Sequence, residues 1–183
     1  VERYQPEVRL TANQDLLLCN IGKDQREEIS HLLTDLGWED PTQTSLLSRH
    51  AIACPALPTC GLAITESERI LPQVLSRLET LLEQEGIEQP ILVRMTGCPN
   101  GCARPYMAEL ALVGSGVDQY QLWLCGSNRL TRLARPVMQR LPLANLESTL
   151  RPLLQQWQSR SPKLSFGDFC HGLGDELETL LQA

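Results

Sequence analysis

Apolar positions along this chain recur in two rhythms. In "VRLTA" and "DLLLCNI" they crowd into short runs on either side of Asn13-Gln14, whereas Ile29, Leu32, Leu33 and Leu36 return every three or four residues up to Gly37. The first rhythm predicts two short strands around a turn, and the second predicts one face of a helix with glycine as its stop. Residues 7 to 37 therefore read as a strand-turn-strand-helix unit without partner strands. "EDPTQTS" follows, and its Pro and small polar residues predict a linker at a boundary near residue 40. Leu71, Val74, Leu75, Leu78, Leu81 and Leu82 then mark a second helix, which Gly86 would end. "ILVRM" predicts a buried strand that delivers the chain straight into Cys98, and "AELALVG" and "YQLWLCG" predict a hairpin around "SGVD". Leu146, Leu150, Leu153, Leu154 and Trp157 form the stripe of a helix from about Leu143 to Trp157, and the tail "SFGDFCHGLGDELETLLQA" opens Gly-rich and closes amphipathic. Mixed strands and helices with at least one hairpin place the fold class as α+β rather than a doubly wound parallel sheet.

Composition narrows the functional classes. With 183 residues, 42% of them hydrophobic, the chain can bury one sizeable core or two small ones. No apolar run approaches the roughly 20 residues of a membrane-spanning helix, and no basic-then-apolar leader opens the sequence, so neither membrane insertion nor secretion is expected. The chain begins at Val1 rather than Met, which sets the expectation of a fragment or processed piece. A net charge of -6 argues against a duplex nucleic-acid partner. Charge is uneven, however: Gln119 to Leu146 holds no Asp or Glu but does hold Arg129, Arg132, Arg135 and Arg140. That window reads either as a solvated helix face or as a patch for an acidic partner or ligand carboxylates.

The candidate chemistry lies in the cysteines. Four of the seven fall into two Pro- and Gly-rich clusters, Cys54 and Cys60 in "ACPALPTCGLA" and Cys98 and Cys102 in "TGCPNGCARPYMAE". An odd number of unevenly spaced cysteines does not suggest a disulfide framework, whereas clustered thiolates suit soft metals. Pro99 fits the first position of a helix, which would put Cys98 and Cys102 on one face at i and i+4 with open backbone N–H groups beside the sulfurs. Zinc knuckles usually hold two to four residues between ligands, and the five between Cys54 and Cys60 exceed that. An iron–sulfur cluster, a structural zinc and four simply buried cysteines all stay open on spacing alone, with the cluster favoured. Cys19, Cys125 and Cys170 stand singly and read as packing residues. His31 reads as a partly buried surface histidine beside core leucines, and no nucleotide, hydrolase or zinc-protease motif accompanies the three histidines.

The two cysteine motifs, followed in order by "QLWLCGSNRLTRLARP" and "SFGDF", closely resemble the C-terminal half of assimilatory, ferredoxin-dependent sulfite reductases of the cyanobacterial and plastid type. The resemblance implies a ferredoxin-like half-domain over residues 1–40 and a [4Fe-4S]/siroheme domain over 41–183. It implies a [4Fe-4S] cluster held by Cys54, Cys60, Cys98 and Cys102, with Cys102 also the axial ligand of siroheme and Asn100 lining the siroheme pocket. The implied activity is the six-electron reduction of sulfite to sulfide with ferredoxin as electron donor, in the bacterial cytoplasm or the plastid stroma. Related nitrite reductases share both spacings, while "PALPT" and "CARPYMAE" look like the sulfite branch; a non-catalytic iron–sulfur module is the other alternative. The residues that clamp the substrate belong to the N-terminal half in that family, so no catalytic residue is assigned here and the chain alone is expected to be inactive. Cys125 stands where the family pattern "LWLGG" has glycine.

Overall fold

The computed structural model describes residues 3–38 and 43–182, so the first four residues of the expected linker, 39–42, lie outside the described residues. The chain divides into two compact units, Val1–Arg49 and His50–Ala183.

In the first unit β1 (Glu7–Leu10) pairs antiparallel with β2 (Leu16–Cys19), with Leu10 opposite Leu16. The turn between them closes through Thr11 N–H donating to the Asp15 carbonyl at 3.0 Å, and Gln14 takes a left-handed φ of 68°. The helix α1 (Arg26–Asp35) ends at Gly37, whose N–H donates to the Thr34 carbonyl. The expected strand-turn-strand-helix unit is therefore present, but its leucine face is not a core. No residue of α1 is buried, His31 is exposed, and Leu10, Leu16, Leu36 and Trp38 are 82%, 62%, 67% and 64% exposed. Two strands and one helix offer too little area to cover these side chains.

The second unit follows the short helix α2 (Leu46–His50), which spans the division. Its sheet comprises β3 (Ile52–Ala53), β4 (Val93–Thr96), β5 (Leu110–Gly116), β6 (Gln119–Leu124) and β7 (Arg135–Pro142), in that spatial order. The first three strands run parallel and the last three antiparallel. The helix α3 (Leu71–Gln84) lies in the connection from β3 to β4, and Gly86 ends it as the sequence predicts, with φ +66° and its N–H donating to the Glu83 carbonyl. Pairing registers place Ile52, Arg94 and Ala111 in one row, and Thr96 and Val113 in another, on the same face of the sheet. Val93, Met95, Leu110, Leu112, Leu122 and Leu124 occupy the opposite face and are all fully buried. The helix α4 (Leu146–Arg160) packs on α3, and an Arg77–Glu147 ion pair ties them together, with Arg77 also donating to the Leu143 carbonyl.

Two elements depart from the sequence expectation. The arginine window is not a helix face but an edge strand with its lead-in loop: β7 opens at Arg135-Pro136 and closes at Pro142, positions an edge strand tolerates because it has no further ladder to donate to. Within it Arg132 bonds the Cys125 carbonyl at 2.7 Å and Asp168 at 2.6 Å, and Arg135 lies 3.7 Å from Glu178, so two of the four arginines face partners within the chain. The Gly-rich tail is helical, as α5 (Phe166–Gly172) and α6 (Glu176–Gln182). Ser165 caps α5 by accepting the Asp168 N–H, and Phe166 sets its ring 5.2 Å from that of Trp157.

Glu109 locks this arrangement from inside. Its carboxylate is 1% exposed and accepts the N–H of Leu92 at 2.9 Å and of Gly167 at 3.0 Å, joining the approach to β4 with the first turn of α5. Burial pushes its carboxyl up from 4.5, against the pull of the Gly167 and Leu92 N–H groups and the Ser165 hydroxyl. Because the folded value is raised, this increment of stability is fully present below 4.5 and is lost as the pH climbs through the folded value. Glu109→Gln leaves one buried N–H without an acceptor and is expected to cost about 1–3 kcal/mol. Denaturant titrations of both proteins across pH should show that cost shrinking as the pH rises.

Candidate functional site

Each cysteine pair begins where a parallel strand ends. Cys54 follows β3 and its N–H donates to the Met95 carbonyl at 3.2 Å, while Cys98 follows β4 after the single residue Gly97. The first loop folds back on itself, with Cys60 N–H donating to the Ala56 carbonyl at 2.6 Å and Ala63 N–H to the Cys60 carbonyl at 3.1 Å. The loop is then stitched to the second one: Ile64 and Thr65 both donate N–H bonds to the Gly97 carbonyl, at 2.8 and 3.2 Å, and Gly97 N–H donates to Cys54 Sγ at 3.3 Å. Only glycine fits there. A Cβ at position 97 would stand 2.5 Å from the Ala56 Cβ and 2.6 Å from the Thr65 carbonyl oxygen. Ile52, Cys54, Ala56 and Ala103 close the contact as one small apolar cluster, with Ala63 packed against it. The two cysteine loops thus form one packed body on adjacent strand ends, the place where parallel sheets present ligand sites.

Within that body Cys54 and Cys98 are buried, Cys60 is half-buried, and Cys102 is exposed together with Pro99 and Asn100. The helix expected from Pro99 is absent. Gly101 takes φ +68° and Arg104 φ 55°, left-handed conformations that no α-helix admits, and the chain runs through turns into a single 3-10 turn at Pro105–Met107. Among the described residues no three Cys, His, Asp or Glu side chains converge as a metal-ligand set. The structure brings the two loops together; it does not bring the four sulfurs to one point.

The donor set nonetheless suits an iron–sulfur cluster. Four thiols sit on two adjoining loops, and a backbone N–H is already aimed at one sulfur, the kind of second contact that steadies a thiolate ligand. Two neighbours escaped the sequence reading. Arg94, on β4 beneath the loops, is 2% exposed and donates from Nη1 to the Ala103 carbonyl at 3.2 Å; a lone arginine inside the apolar run "ILVRM" was the available signal. Gly97 gave no signal beyond its place in a Gly-rich cluster. Cys125 holds φ +74° and is 2% exposed, which accounts for a glycine expected at that position, and burial pushes its thiol up, with Arg135 pulling the other way.

No protein-family model matches the chain. The ferredoxin-type sulfite reductase of Synechococcus elongatus is 53% identical over 176 residues, which is 95% of this chain and 28% of that protein. The chain is a homologue of part of a sulfite reductase. The NADPH-type sulfite reductase hemoprotein beta-component of Xylella fastidiosa is 44% identical over 171 residues, 92% of this chain and 30% of that protein. Among solved structures, the NirA protein of Mycobacterium tuberculosis superposes with a TM-score of 0.75 over 98% of this chain and 35% of that one, at 23% identity, which shows a shared fold. This sulfite reductase homologue thus spans less than a third of the length of the two curated relatives, a smaller share than the half implied by its motifs.

Proposed function

We propose that this chain is the cluster- and siroheme-bearing part of a ferredoxin-dependent sulfite reductase. The observation that carries the reading is the fusion of the two cysteine loops through Gly97, in a chain 53% identical to a ferredoxin-type sulfite reductase. Cys54, Cys60, Cys98 and Cys102 are the ligands of a [4Fe-4S] cluster. Cys102, the exposed member, would also serve siroheme, and the exposed Asn100 beside it would line the siroheme pocket. The cofactors supply the electron relay and the iron on which sulfite is reduced to sulfide. The chain supplies fixed loop geometry, an N–H bond that steadies the Cys54 thiolate, and a loop tip open at Cys102 so that a second cofactor can reach it. That the Xylella relative is by name a hemoprotein supports siroheme, and the donor named for the Synechococcus relative supports ferredoxin.

The substrate clamp and much of the siroheme shell belong to the N-terminal part of the enzyme. The leucines of β1, β2 and α1 are exposed, and such a part would cover some of them. In the described residues no helix is long and apolar enough to cross a membrane. The compartment that goes with this reading is the bacterial cytoplasm or the plastid stroma. Replacing the corresponding segment of the Synechococcus enzyme by this chain should preserve ferredoxin-driven sulfide production, while the isolated chain should produce none at steady state. Sulfide production by the isolated chain would contradict the division of labour, and a folded chimera that reduces nitrite but not sulfite would favour the nitrite branch.

A further inference from the structure

Arg94 is a buried charge without a counter-charge. It is 2% exposed and sits in one row with Ile52 and Ala111, and none of the ion pairs among the described residues includes it. Its single hydrogen bond goes to a neutral carbonyl, that of Ala103, and its Nε has no partner. Thr96, two residues on and on the same face, has a buried hydroxyl that is equally unpartnered. The charged and titratable neighbours that bear on Arg94 are Arg104, another cation, and Tyr106. A guanidinium held in this way destabilises a fold unless something negative faces it. The element directly above it is the Cys98–Cys102 loop, since Ala103, which Arg94 grips, follows Cys102 and belongs to the apolar cluster containing Cys54.

We propose that Arg94 is a positioning residue for the cysteine site, holding the Cys102 loop through the Ala103 carbonyl and supplying the buried positive charge that offsets the negative charge of four iron-bound thiolates. The inference rests on the reading of Cys54, Cys60, Cys98 and Cys102 as cluster ligands. A cubane core bound by four thiolates is a net anion, and reduction adds a further electron, so a fixed cation beneath it favours both assembly and the reduced state. In the unloaded chain the same cation is a liability, because nothing there repays its desolvation.

The two states give opposite signs, and that separates this role from a structural one. The 183-residue chain with Arg94, Arg94→Met or Arg94→Lys is reconstituted anaerobically with ferrous iron and sulfide, and three quantities are read: melting of the unloaded chain, release of iron to a chelator, and the midpoint potential followed by electron paramagnetic resonance. Arg94→Met should melt no lower than the parent when unloaded, yet lose iron roughly tenfold faster once loaded and take up its electron at a more negative potential. Arg94→Lys, which keeps the charge, should recover the potential. An Arg94→Met chain that fails to fold unloaded, or one with unchanged iron release and potential, overturns the proposal and leaves Arg94 a structural strut. A parent chain that assembles no cluster overturns the ligand reading itself, a result distinguishable from the others because no variant is needed to see it.

Discussion

Replacing Cys98 by serine should reduce the iron and acid-labile sulfide retained by the reconstituted chain from about four of each to essentially none, without unfolding it. Cys98 is buried at the end of β4, one residue after the glycine that locks the two loops together, so it is the least able of the four ligands to be replaced by a swing of the backbone. Serine preserves shape closely but offers a poor soft-metal ligand, and a substitution this small in a loop leaves the sheet and helices in place. Cys54→Ser, Cys60→Ser and Cys102→Ser should behave alike, though the exposed Cys102 position should retain the most residual iron because solvent can complete the coordination there. The internal controls are the three remaining cysteines. Cys19→Ser, Cys125→Ser and Cys170→Ser should keep full iron and sulfide, and loss of both at one of them with retention in Cys98→Ser would refute the ligand assignment.

Gly167→Ala should destabilise the chain by about 3 kcal/mol or more, although helix propensity alone favours alanine in α5 by about 1 kcal/mol. Sterics decide the sign. A Cβ at position 167 would lie 1.7 Å from the Gly126 carbonyl oxygen, 2.9 Å from its carbon and 3.1 Å from the Glu109 Cγ. Two of these obstacles are backbone, and the third belongs to a carboxylate pinned by the Leu92 and Gly167 N–H groups, so nothing nearby yields cheaply. Relieving the clash means moving α5 off the end of β6 and opening the Glu109 bonds. Thermal melting should fall by about 5 °C or more. Gly172→Ala, at the other end of the same helix with nothing within 4 Å of its Cβ, should be neutral or slightly stabilising. Equal midpoints for the two variants would show that the contact between α5 and the β6 end is not close-packed.

What could be read from the sequence followed the strength of local periodicity. Helices α3 and α4 and the β5–β6 hairpin announced themselves because each carries enough alternating or 3.6-spaced apolar residues to define a buried face. The strand β3 did not, because two residues, Ile52 and Ala53, are too few to show a period. The strand β7 was hidden by its prolines and arginines, which mark an edge rather than a core. The helix α5 was hidden by Gly167, which reads as a helix breaker and proves to be the residue that lets two segments touch. The exposure of α1 lay beyond any pattern in the chain, since periodicity predicts an apolar face but not whether this chain covers it.

At the site, the four candidate ligands were legible from cysteine clustering, and the Pro99 helix was not a safe extension of that reading. A glycine two residues later adopts a left-handed conformation that ends any helix before it begins. Arg94 illustrates the converse. Its neighbours in "ILVRM" promised a buried strand, and the strand is there, but only the three-dimensional register shows that the arginine faces the cysteine loops with an unpartnered Nε.

Both cofactors have to sit on this chain if Cys54, Cys60, Cys98 and Cys102 have the proposed roles. An absorption spectrum of the anaerobically purified chain, with iron and acid-labile sulfide assayed on the same sample, decides it most directly. Siroheme bands together with a four-iron cluster are the predicted result, with the siroheme bands lost and only residual iron kept in Cys102→Ser. A chain that remains colourless after reconstitution, or that binds zinc in place of iron, would contradict it.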